Sequence, residues 1–136
     1  EFRRVLFRSA DFSQVGDLGT AAIKVGENYN EISADAGSKV IEDSEIDTSV
    51  KGDNRVVVKI NHATEAKGAY PIVLVSYDIA CPAYKDASTA KFVKSWLTYV
   101  TSDEGQKTAS SAAGSAPLPS NIVEKVTKSI EAIKTK

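Results

Sequence analysis

Few residues in this chain are of types that do chemistry, and their spacing does not favour it. His62 is the one histidine and Cys81 the one cysteine. A histidine combined with a serine and an aspartate could run a hydrolase, but no Gly-x-Ser-x-Gly elbow occurs. A triad is identified by geometry rather than residue type, so His62 reads as a surface or loop residue. A lone cysteine cannot close an internal disulfide or hold a zinc cluster. Nothing in the sequence around Cys81 marks it as a nucleophile. It reads as a buried or bystander thiol, with a disulfide to a cysteine outside this sequence as the alternative. Glu42, Asp43, Glu45 and Asp47 could attract a cation, but they lack the Asp-x-Asp-x-Asp-Gly order of a calcium loop. They read as a solvated acidic helix end. Trp96 and Tyr99 could stack a sugar ring; helical spacing instead makes Trp96 a core residue. Ser110, Ser111 and Ser115 beside Gly114 resemble a loose anion nest, and a flexible connector is the expectation there. The sequence therefore predicts no catalytic residue, no metal ligand and no cofactor site, hence no enzyme.

The elements that position these residues follow from pattern. A short strand is expected over 21–25. Ser33 is placed to cap a helix that carries Asp35 in its first turn and Ala36, Val40 and Ile41 on its apolar face. Gly37 weakens that helix by about 1 kcal/mol relative to alanine. Lys51-Gly52-Asp53-Asn54 reads as a turn. Val56, Val58 and Ile60 alternate as in a half-buried strand. Residues 61–68 are polar and read as loop. Pro71 then opens the strongest strand pattern of the chain, over 72–79. Val73, Val75, Tyr77 and Ile79 form one face, and Ile72 and Leu74 begin the other, so its first half is expected to be buried on both sides.

Asp86 caps the next helix, from Ala87 to about Thr101. Its inner face is read as Phe92, Val93, Trp96, Leu97 and Val100, with Lys91, Lys94 and Thr98 outside. Ser102 caps a second short helix with Asp103 and Glu104 in its first turn. Pro119 suits the first position of a last helix. That helix carries Ile122, Val126, Ile130 and Ile133 on one face, and Glu124 and Lys128 as a surface pair. The fold class is α/β, with too few strands for a complete sheet. The expectation is a piece of a larger one.

Composition narrows the class further. The chain has 136 residues, 42% apolar and 26% charged, the balance of an ordinary globular domain. A net charge of −1 leaves no basic stripe for nucleic acid, so none is expected as a partner. No apolar run approaches the roughly 20 residues of a membrane span. The segment 1–9, Glu-Phe-Arg-Arg-Val-Leu-Phe-Arg-Ser, holds three arginines and one acidic residue, against an acidic remainder. Its apolar run is too short for a signal peptide. Arg-Val-Leu-Phe-Arg-Ser resembles a translated sequencing adaptor, so this tail is expected to be non-native. The lack of methionine fits a processed, cut or incompletely read chain.

From Gly68 onward a family resemblance appears. Its carriers are Gly68-Ala69-Tyr70-Pro71-Ile72, the stretch from Phe92 to Tyr99 around Trp96-Leu97, Ser102-Asp103-Glu104-Gly105-Gln106, and Ala116-Pro117-Leu118-Pro119 before a terminal amphipathic helix. Leu18-Gly19-Thr20-Ala21-Ala22-Ile23 adds a further block. Together they resemble, in order over 10–136, the C-terminal part of bacterial phosphate-binding proteins of ABC phosphate importers, actinobacterial members above all. That family belongs to the type II periplasmic-binding-protein superfamily.

The resemblance implies an incomplete part of a two-lobed α/β receptor. Residues 10–67 would end the second lobe. Residues 68–136 would supply the hinge strand and the C-terminal helices of the first, with Tyr70, Pro71 and Ile72 at the hinge. It implies capture of inorganic phosphate without metal, through helix N-termini, Ser/Thr hydroxyls, an Arg and an Asp that tells phosphate from sulfate. The implied partners are ABC permease subunits. The implied place is extracytoplasmic, at the cell surface or in the periplasm, with the membrane reached through a lipid anchor or the permease. The family's Arg-x-x-x-Ser-Gly-Thr type segment is missing here, so no phosphate ligand falls on any residue of this sequence. A receptor for another oxyanion, such as molybdate or sulfate, and a stand-alone small interaction domain are the alternative readings.

Overall fold

Side-chain caps start three of the helices. The Ser33 hydroxyl accepts the Ala36 N–H at 3.1 Å and opens α1 (Ala34–Glu42). Asp86 accepts the Thr89 N–H at 2.7 Å and opens α2 (Ala87–Thr101). Ser102 accepts the Gly105 N–H at 3.2 Å and opens α3 (Asp103–Ala113). All three caps stand where the sequence predicts them. The last helix, α4 (Ser120–Glu131), follows Pro119, which is its N-cap rather than its first helical residue. Helix ends are ambiguous by that much. The structure, a computed structural model, describes residues 9–136; the expectation of a non-native tail falls on residues outside these, apart from the exposed Ser9.

Strands are short. β1 (Ile23–Val25) and β2 (Asn28–Asn30) form an antiparallel hairpin in which Val25 faces Asn28. Gly26, at φ +57°, takes the first position of its two-residue loop, while Glu27 keeps a negative φ. This is the II′ pattern, and it needs glycine at that place. β3 (Glu45–Ile46) pairs antiparallel with β4 (Val58–Lys59), and β5 (Ala83–Tyr84) pairs parallel with β6 (Lys134–Thr135). The described residues thus mix four helices with three two-stranded sheets. That mixture is compatible with the α/β expectation.

The core gathers Ile41 of α1, Val58 of β4 and Ile122 of α4, with Ile46, Val56, Ile60, Val73, Val75, Leu118 and Val126 packed around them. Gly37 has a reason the sequence does not display. An added Cβ would stand 3.1 Å from the Ala116 Cβ, so glycine lets the α3–α4 connection approach α1 closely. The Ser38 hydroxyl donates to the Pro117 carbonyl at 3.0 Å beside it.

Three expectations need correction. Residues 72–79 form no strand, because none of the described residues offers them a ladder; only Val73 and Val75 turn inward. Ile72 is 62% exposed, Leu74 91% and Ile79 97%, so burial on both faces does not occur. Trp96 is not a core residue. Phe92 and Trp96 are 70% and 54% exposed, while Ala90, Val93, Lys94, Leu97 and Val100 form the covered side of α2. Lys94 fixes that rotation. Its ammonium donates to the Glu131 carbonyl at 3.0 Å and the Ile133 carbonyl at 3.4 Å, at the end of α4, and the residue is half-buried. Finally, Ser110 to Ala113 are helical rather than a flexible connector, and α3 ends at Gly114 in the left-handed region at φ +64°.

Candidate functional site

The hinge residues expected from the sequence lie where the β1–β2 hairpin, α1 and the 61–68 loop meet. Tyr70 is buried. Its N–H donates to the Ala36 carbonyl at 3.0 Å, and its hydroxyl donates to the Ala21 carbonyl at 3.1 Å. The neighbouring Ala69 carbonyl accepts the Asn30 side-chain amide at 2.8 Å. His62 Nδ1 lies 2.8 Å from the Pro71 carbonyl. A carbonyl only accepts, so this contact places the ring proton on Nδ1. At Ile72 the ties stop: among the described residues, no backbone group of residues 72–80 makes a hydrogen bond. The chain therefore passes from clamped to free between Pro71 and Ile72.

This junction holds no catalytic arrangement. The exposed His62 is bonded to a carbonyl, and among the described residues no carboxylate orients it. Cys81 is exposed and unpaired among the described residues, rather than buried. The acidic residues do not converge. Asp43 accepts from the Thr64 hydroxyl and from the Asn61 amide, tying the helix end to the loop. Asp47 turns onto Ser49. Among the described residues no group of carboxylates, histidines or cysteines could hold a metal ion.

Three aspartates are held below the usual carboxylate range, each by hydrogen bonds to its charged form. The Ser13 hydroxyl and then its N–H do this for Asp11, and those of Ser49 for Asp47. For Asp86 the Ser88 hydroxyl leads, followed by the Thr89 N–H. All three are exposed turn or cap residues, so the shifts mark local structure rather than a reactive centre.

An open cleft of about 310 Å³ lies between α3 and the α3–α4 connection, lined by Thr101, Asp103, Lys107 and Ser110 among others. Gln106 stands in its wall, but both ends of its amide are engaged. Its NH₂ donates to the Val100 carbonyl at 2.7 Å, and its oxygen accepts the Leu118 N–H at 2.9 Å. Nothing in the sequence singles out Gln106 for this brace. Ser110 and Ser111 lie in the last turns of α3, where carbonyls rather than N–H groups are free. That end of a helix repels an anion, so the loose nest is absent.

The comparisons with known proteins fall on one theme. No family model matches the chain. A 66-residue stretch, 48% of the chain, is 36% identical to the phosphate-binding protein PstS2 of Mycobacterium bovis. The same figures hold for the phosphate-binding protein PstS 2 of Mycobacterium tuberculosis. The match spans 17% of the length of each relative. The likeness is partial and distant, and it is to phosphate-binding proteins. No solved structure matches. Among the described residues no helix is long and apolar enough to cross a membrane.

Proposed function

We propose that this chain is part of a receptor that captures inorganic phosphate and delivers it to the permease of an ABC importer. The observation that carries this reading is the 66-residue likeness to two mycobacterial phosphate-binding proteins. The receptor works outside the cytoplasmic membrane, lipid-anchored, and catalyses nothing. Residues 10–67 belong to its second lobe and 68–136 to the first, with the pivot at Tyr70, Pro71 and Ile72. The change from clamped to free backbone after Pro71 supports that placement, since a pivot must absorb dihedral change at few residues.

The phosphate ligands lie in the rest of the receptor. An anion at a helix start needs free N–H groups. Ser33, Asp86 and Ser102 each spend their own side chain on one of those of α1, α2 and α3.

A chimera tests the reading. The matched stretch of the Mycobacterium tuberculosis relative is replaced by the corresponding residues of this chain, and phosphate binding is followed by calorimetry. Retained binding at unit stoichiometry is expected, with a flat trace for the present chain alone. A chimera that folds by circular dichroism yet binds no phosphate contradicts the receptor reading. Binding by the isolated chain contradicts the placement of the ligands elsewhere.

One observation favours the second reading, a stand-alone interaction domain. Ile41 and Val58 share a core with Ile122, across the division at residue 67. A sharp, reversible melt of the chain alone would favour it.

A further inference from the structure

We draw no further inference here: the strongest candidate, the exposed aromatic stripe of Phe92, Trp96 and Tyr99 along the outer face of α2, is an unpartnered apolar face, and nothing in the structure shows what covers it.

Discussion

The core around Ile41, Val58 and Ile122 and the stretch from Ile72 to Ala80 are built from the same kinds of residue. Both are rich in Val, Ile and Leu with strand or helix periodicity. In the core, α1, the β3–β4 pair and α4 each present a face to the others, and Val40 is fully buried beside Ile41. In the stretch, one face is covered and the other meets solvent, with no ladder to either edge among the described residues. The difference is one of partners rather than of composition. Apolar pattern decides which faces can be buried; only the neighbouring elements decide which are.

The largest expected effect lies inside the closed region. Ile122→Ala should cost about 2–5 kcal/mol by urea denaturation, the range for emptying a packed site. Leu74→Ala should stay within about 0.5 kcal/mol, as for an uncovered position. Similar losses at the two sites would break the comparison.

Gly105→Ala comes next. An added Cβ would collide with the Tyr99 carbonyl, where the start of α3 turns against the end of α2. Backbone cannot yield as a side chain tip does, so a loss of about 1–3 kcal/mol is expected in the same titration. A stabilised variant would show that this turn is not close-packed.

Tyr77→Phe probes the seam between the two regions. It removes the hydroxyl that serves both backbone groups of the buried Val58. The expected cost is about 1–3 kcal/mol, that of leaving a buried group without a partner. A neutral result would mean that water replaces the phenol and that the edge of β4 is open.

The smallest effect is electrostatic. Hydrogen bonds from Ser88 and Thr89 hold the Asp86 carboxyl below its usual range. A carboxyl whose folded pKa is depressed contributes stability above its unfolded value, and that contribution is lost as pH falls through the folded value. The helical signal should therefore begin to weaken below about pH 4, and less so in Asp86→Asn, which retains a capping oxygen. An identical pH profile for the two would remove Asp86 from the account.

The local signals were legible in the sequence. Ser33, Asp86 and Ser102 cap their helices through residues three positions away, so a short window contains the whole interaction. The stripe Ile122, Val126 and Ile130 was legible because its polar complement is equally regular; Ile133, expected on the same helix, is buried but lies two residues past its end. The rotation of α2 was not. The ammonium of Lys94 bonds carbonyls far along the chain, and no pattern within α2 marks that residue as inward. The strand expected over 72–79 failed likewise, since a ladder needs a second strand that local pattern cannot supply. The two-residue strands β5 and β6 exist only through each other. Gly26 before Glu27 was a readable hairpin signal that was missed. Of the candidate site, the sequence singles out Tyr70, Pro71 and Ile72, but the clamp from Asn30, Ala36 and Ala21 joins elements it cannot bring together.

Hydrogen exchange tests the contrast most directly. Amides of α1 and α4 in the closed core should be the most protected of the chain, since their opening requires the core to separate. Amides of residues 72–80 should exchange at the rates of an unstructured peptide, because no group among the described residues bonds them. Protection of residues 72–80 comparable to that of α1 and α4 would contradict the account.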